Sequence, residues 1–415
     1  MKLEKYSFGV GDRFAMEGAA QLRALQKAAA SGVPIVPVWN KSHREHAIVG
    51  TAPESTRMEA DAAVQDTRWA NSYYVDADHI TLATVDAYIP SSDFFTIDIA
   101  DSIGKPATGS LKSSFLSAMD QYRGSHEIPG LQKRLDVTDA VLENFVSNYL
   151  YGIAEAGNVY RHIAEKKGAD QFITEVSFDE ARRPQTVVEM LLLLVALALE
   201  DIPVQTIAPK FPGSFLKGVD YVGDPQQFAR SFNDDLAVIA YAVEHFGLPP
   251  NLKLSIHTGS DKFTLYTLIH RAIRRMDAGI HLKTAGTTWL EELSGLAASG
   301  GAGLLFAKEI YRESYARCEA LCQPYLAIID IDAQQLPDPG VVASWSGEEF
   351  VSALRHDPSC KSYNRNLRQL LHIGFKVAAE KKVRFAELVD KFRSTVEDNV
   401  TGNLFERHIR PLFGI

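Results

Sequence analysis

The chain of 415 residues is poor in cysteine, with three, and this excludes a disulfide scaffold. Cys318 and Cys322 stand four apart in a stretch of helical character. A redox or zinc site wants more partners at closer spacing, so all three cysteines are expected to be reduced thiols. Long apolar runs are also missing. The longest, Met190–Leu199, falls short of the roughly 20 residues that cross a bilayer and reads as a buried helix. Met1-Lys2-Leu3-Glu4-Lys5-Tyr6 carries no apolar h-region, so no signal peptide is expected and the cytoplasm is the expected location. Positive charge is not in excess. The 43 basic residues against 52 acidic ones leave a net charge of -9, which speaks against a nucleic-acid binder, since those need a basic face. No fixed-period repeat stands out. Neither GxGxxG nor GxxxxGK[ST] occurs, so nothing supports a bound nucleotide.

What is present is material for a large core, with 46% apolar residues, enough to fold without a metal or disulfide staple. Short apolar segments rich in β-branched and aromatic residues read as strands buried on both faces: Tyr6–Val10, Tyr73–Ala77, Phe94–Ile99, Phe172–Val176, Val204–Ala208, Leu252–Ile256, Gly279–Leu282 and Gly303–Ala307. Helical periodicity lies between the later ones, over Thr186–Glu200, Pro225–Phe246, Thr264–Met276 and Trp289–Ala298. Strand alternating with helix predicts an α/β protein with a parallel sheet, and this many strands predicts closure into a (β/α)8 TIM-type barrel. An open doubly wound sheet is the alternative. The gap between the second and third strands is short for a crossover helix. We expect a barrel over residues 1–336, extra helices inserted around 103–171, and a helical C-terminal segment over 337–415 packed on the barrel.

Catalytic groups of such barrels sit at the carboxyl ends of the strands. Here those ends carry polar residues: Asp78-His79, Asp98, Glu175, Lys210-Phe211 leading to Lys217-Gly218-Val219-Asp220, His257, and His281 with Lys283. Alternation puts Ser255 with His257, and His281 with Lys283. Histidines from separate strands can converge on a divalent metal with Asp or Glu completing the shell, which gives His79, His257 and His281 as candidate ligands. Lys210, Lys217, Lys262 and Lys283 would make a cationic pocket suited to a carboxylate or phosphate. Asp220 and Asp261 stand beside these lysines and join the candidate substrate-binding set. Each has a plainer reading, as a hydrogen-bonded histidine, a turn aspartate or a solvated lysine.

Six stretches running in order from about residue 70 to 290 resemble the tagaturonate/fructuronate epimerase family of hexuronate catabolism. They are Asp76-Ala77-Asp78-His79, Phe95-Thr96-Ile97-Asp98, Glu175-Val176-Ser177-Phe178-Asp179-Glu180, Lys217 to Asp224, Lys253 to Phe263, and His281 to Thr287. The resemblance implies a metal-dependent isomerase interconverting D-tagaturonate and D-fructuronate, with relatives acting on tagatose and fructose. It implies Asp78 as proton acceptor, Glu175 as proton donor, His79 and His257 as metal ligands and Lys217 as a substrate contact. Thr258 departs from the commoner Ser but keeps the hydroxyl.

The two sugar acids differ at a carbon β to both the ketone and the carboxylate. Enolisation cannot invert it. Retro-aldol cleavage and rejoining can, with a Lewis acid stabilising the enolate and a carboxylate pair moving the proton. Transient oxidation would also serve, but no dinucleotide motif is visible. Zn, Mn, Ni or Co would suit histidine and carboxylate ligands. The alternatives are a tagatose/fructose 4-epimerase on neutral ketohexoses, a metal-dependent sugar isomerase working at C1–C2, and a sugar-acid-binding regulator without turnover. The expected partner is a small sugar acid or ketohexose, with no nucleic acid and no membrane; a homo-oligomer is left open.

Overall fold

The computed structural model describes residues 1–107, 109–258, 260–283 and 287–415. Eight parallel strands close into a barrel: β1 (Tyr6–Val10), β2 (Val36–Ser42), β3 (Tyr74–Ile80), β4 (Phe94–Asp98), β5 (Ile173–Ser177), β6 (Val204–Ala208), β7 (Lys253–His257) and β8 (Ile280–Lys283). Each strand pairs with its neighbours in sequence, and β8 returns to β1 with Ser7 beside His281 and Gly9 beside Lys283. The closed barrel leaves no exposed edge. It is the expected TIM-type architecture, and the open-sheet alternative is excluded.

Two expectations about strands fail for physical reasons. Gly303–Ala307 is not a strand but part of the helix Gly301–Ala316. A short apolar run does not reveal its own period, and Gly303 serves helix packing instead: a Cβ there would lie 2.3 Å from the Leu296 carbonyl oxygen of the preceding helix. The eighth strand is β2, which holds Pro37 opposite Phe8. A proline inside a run argues against a central strand, and that masked it. The short gap after β3 is real, because β3 and β4 are joined through a 3-10 turn at Val85–Ala87 with no crossover helix.

Between β4 and β5 the chain adds helices at Gly109–Met119, Asp139–Phe145 and Tyr151–Lys167 and a small hairpin of Gly124–His126 with Leu135–Val137. The helix Val187–Leu199 is buried nearly all round and opens on a capping box of Thr186 and Glu189. Pro225–His245 opens on Asp224, whose side chain accepts from the Gln226 amide, with proline in its first turn. No helix among the described residues is long and apolar enough to cross a membrane. From Thr287 onward the chain is helical and builds a second apolar cluster around Trp289, Phe306, Phe350, Leu371 and Phe385. This C-terminal part meets the barrel rim through Asp261, whose carboxylate takes Arg368 Nη2 at 2.7 Å and His356 Nδ1 at 3.0 Å.

Candidate active site

The barrel mouth is built on a break in strand geometry. Asp78 and His79 are consecutive, so a regular strand would send them to opposite faces. Pairing of β3 with β4 slips between Ala77 and Ile80, and His79 takes φ +56. A left-handed backbone costs a non-glycine residue of order 1 kcal/mol. In return both side chains reach the mouth, where His79 Nδ1 donates to Asp78 Oδ1 at 2.7 Å.

Across the mouth His257, the last residue of β7, donates from Nε2 to Glu175 Oε1 at 2.9 Å. Each imidazole thus has one nitrogen held by a carboxylate. The other nitrogens both meet Asp179: His79 Nε2 lies 3.5 Å from its Oδ1 and His257 Nδ1 3.1 Å from its Oδ2. His257 Nδ1 is buried and makes no hydrogen bond among the described residues. His79, Asp179 and His257 form a group that could hold a metal ion. Metal-bound histidines ordinarily give their second nitrogen to a carboxylate, as both do here, so the residues present fit a divalent cation.

Beside this group lies Lys283. Its Nζ is 2.8 Å from Asp76 Oδ2, 3.0 Å from Asp78 Oδ1, 3.1 Å from Glu175 Oε1 and 2.5 Å from Thr96 Oγ1. Burial would depress this ammonium, but Asp76, Glu175 and Asp78 together hold it well above the ordinary lysine range. The charges act back. Burial would raise Glu175, yet Lys283 and His257 pull it well below the usual carboxylate range. Asp78 is likewise lowered against burial, by Lys283 and His79. Asp76 goes the other way, to about 6, because burial, with help from Asp78 and Glu175, outweighs Lys283. Thr206 donates to Glu175 Oε2 at 2.7 Å and fixes its second oxygen.

A family model described as tagaturonate epimerase matches residues 1–410. The chain belongs to the tagaturonate epimerase family. A tagaturonate/fructuronate epimerase of Thermotoga maritima is 26% identical over 404 residues, covering 95% of this chain and 76% of that one. A fructuronate-tagaturonate epimerase of Cohnella laeviribosi, solved in complex with one glycerol, superposes with a TM-score of 0.81 at 21% identity, covering 100% of this chain and 82% of that one. The native form of the same protein gives 0.79 at 22% identity, again covering 100% of this chain and 82% of that one. The family makes this an isomerase-class enzyme, an epimerase.

Within this epimerase fold the expected site residues divide. Asp78, His79, Glu175, His257 and Lys283 come together as described. His281 does not join the metal-competent group, where Asp179 stands instead. The reason is layering: Lys283 shares the level of His257, while His281 lies one level lower beside Ser255 and Ser7. Its Nδ1 sits 2.9 Å from Ser7 Oγ, and burial holds it down at about 3. Lys262 is enclosed, donating to the carbonyls of Leu216, Val219 and Asp261. Asp261 is bound to Arg368 and His356, and Asp220 accepts from the Thr264 amide at 3.2 Å at the start of a helix. These three hold loops. Lys210 is half-buried, with its amide donating to Gln185 Oε1 at 2.8 Å. Lys217 is half-buried near the Tyr325 ring. The Thr284-Ala285-Gly286 part of one matching stretch lies outside the described residues, as does Gly259.

Asp179 and Asp76 escaped the sequence reading as site residues. Asp179 sits two residues past the end of β5, where strand alternation no longer says which way a side chain points. Asp76 shared a strand face with Asp78 and was readable from that spacing alone.

Proposed function

We propose that this epimerase interconverts D-tagaturonate and D-fructuronate by retro-aldol cleavage and rejoining, with a divalent metal held by His79, Asp179 and His257. The observation that carries the reading is the pair of imidazoles, each fixed by a carboxylate, converging on Asp179 beside a lysine–carboxylate cluster. The cation, of the Zn, Mn, Ni or Co class, would act as a Lewis acid toward the charge that develops on the ketone oxygen.

The chain's own groups handle the proton. Asp78 is held ionised and takes the proton of the hydroxyl on the carbon β to the ketone. The C–C bond between the α and β carbons breaks, its electron pair passes into the enolate, and the β carbon becomes an aldehyde. Rotation of that aldehyde presents its other face, the bond re-forms, and the new alkoxide takes a proton back. Glu175 is the donor in this scheme. Ionised at rest, it is loaded by Asp76, since Thr96 Oγ1 lies 3.0 Å from both Asp76 Oδ1 and Glu175 Oε1. The proton that Asp78 took returns to Asp76 by way of Lys283, whose Nζ lies 3.0 Å from Asp78 Oδ1 and 2.8 Å from Asp76 Oδ2, so the cycle closes. Lys283 keeps the carboxylates in place while charge moves among them.

Incubating the purified enzyme and metal with D-tagaturonate and, separately, D-tagatose tests this reading. Fructuronate as the main product supports it. An aldose product would favour an isomerase working at C1–C2. Turnover confined to tagatose and fructose would move the enzyme to the neutral ketohexoses.

A further inference from the structure

Three cations surround one aromatic ring. Lys376 Nζ lies 4.4 Å from the Tyr325 ring centroid, Arg44 Cζ 5.8 Å and Lys217 Nζ 6.0 Å. None of the three has a carboxylate within ion-pair distance among the described residues. Two acids act on Lys217: Glu45 is engaged by Arg13 at 3.0 Å and by the Ser42 amide at 3.2 Å, and Asp78 by His79 and Lys283. Gathering like charges costs energy unless an anion joins them. Burial adds to that cost and, with neighbouring arginines, holds both Lys217 and Lys376 below the ordinary lysine range.

The cluster sits at the catalytic end of the barrel. Ser42, the last residue of β2, pairs with Asp78, and Arg44 follows two residues on. Lys217 belongs to the segment joining β6 to β7, which ends in His257.

The backbone at Lys217 is also clamped from several sides. Its amide donates to the Ile328 carbonyl at 2.8 Å, and its carbonyl accepts from Gln369 Nε2 at 3.0 Å. The Gly218 amide donates to Ser260 Oγ at 2.9 Å, and the Gly218 carbonyl accepts from Arg368 Nε at 2.8 Å. The enclosed Lys262 ammonium holds Leu216 and Val219 on either side. A loop fixed this thoroughly loses little further freedom when the Lys217 side chain takes a ligand.

We propose that Arg44, Lys217 and Lys376, arrayed around Tyr325, grip the carboxylate of the sugar acid, so that the C-terminal helical segment supplies part of the substrate site and sets the preference for an acid over a neutral ketose. The proposal rests on the uronate reading of this same site. Holding that carboxylate also keeps the aldehyde fragment from leaving between cleavage and rejoining. Lys and Arg are the residues for the task, the guanidinium as a flat fork and the ammonium as a point charge. Each of them lies over the Tyr325 ring.

The test measures binding apart from turnover. Metal-loaded enzyme is titrated calorimetrically with D-galactonate, a six-carbon sugar acid without a ketone, and with the neutral galactitol. The wild type is compared with Arg44→Met, Lys217→Met and Lys376→Met, which keep the apolar stems. Arg44 is exposed and Lys217 and Lys376 are half-buried, so folding, checked by circular dichroism, is expected to survive. Each variant should bind galactonate about 10- to 100-fold more weakly, as for loss of a charged hydrogen-bond partner, with galactitol binding changed less than about twofold. KM for tagaturonate should rise by a similar factor. Galactonate affinity within twofold of wild type in all three variants, or equal losses for galactonate and galactitol, would overturn the proposal. If the cations govern galactonate binding but wild-type enzyme does not turn over tagaturonate, the functional reading fails and the anion site stands.

Discussion

His257 Nδ1 lies 3.1 Å from Asp179 Oδ2 while the opposite nitrogen of the same ring is fixed by Glu175 at 2.9 Å. One carboxylate orients the ring and another faces its second nitrogen, which is the arrangement the proposed metal site needs. Replacing Asp179, His79 or His257 by Ala should therefore abolish stoichiometric metal, read by elemental analysis of purified protein. Glu175→Gln and Asp78→Asn should bind metal about 10- to 100-fold more weakly, as groups that orient ligands do. His281→Ala should keep its metal. Full occupancy in the Asp179 variant, or loss in the His281 variant, would move the site elsewhere.

Asp78 and Glu175 also carry the proton in the proposed reaction. Asp78→Asn and Glu175→Gln, assayed at saturating metal, should each lower kcat by at least about 100-fold. Near-normal turnover in both would remove them from the chemistry and leave them as supports for the histidines. Prolonged dialysis against a chelator should abolish activity in the wild type, and added divalent ion should restore it.

Gly9 stands where β1 passes β8. A Cβ there would lie 2.9 Å from the Lys283 Cα, a backbone atom that cannot swing aside. Gly9→Ala should cost about 1–3 kcal/mol of stability, the usual range for overpacking, measured by denaturant unfolding. It should also lower kcat, since it displaces the lysine that three carboxylates share. Wild-type stability would show that the barrel seam yields more readily than this spacing implies.

Glu17 is wholly buried, and neither of its carboxylate oxygens has a hydrogen-bond partner among the described residues. Burial first, and then Asp12 and Glu397, push it up to about 8 from an ordinary 4.5. A raised folded-state value means that the protonated form favours folding. That contribution is complete below about pH 4.5 and is lost as pH rises through about 8. Glu17→Gln should match the wild type near pH 5 and exceed it near pH 8.5 by up to about 5 kcal/mol, at roughly 1.4 kcal/mol per pKa unit. Thermal unfolding at both pH values reads the difference. A gain that shrinks with pH would show that Glu17 is ionised in the fold.

The sequence by itself determined the barrel and much of what lines its mouth. Val204–Ala208 and Tyr6–Val10 were readable because buried parallel strands are unbroken apolar runs, and Asp78, Glu175 and His257 because polar residues at strand ends have no place in a core. Local pattern could not supply what depends on distant chain. β2 hid behind Pro37, and Gly303–Ala307 imitated a strand because five apolar residues have no period of their own. Tertiary structure decided the rest. The level of each side chain in the barrel puts Lys283 with the carboxylates and His281 below them. A slipped register at His79 brings two consecutive residues to one face. Closure of the C-terminal helices over the rim places Lys376 and Tyr325 beside Lys217, although more than 100 residues separate them in sequence. Charge and burial act through space, so a residue's role follows from its neighbours in three dimensions, and those are settled only when the chain has folded.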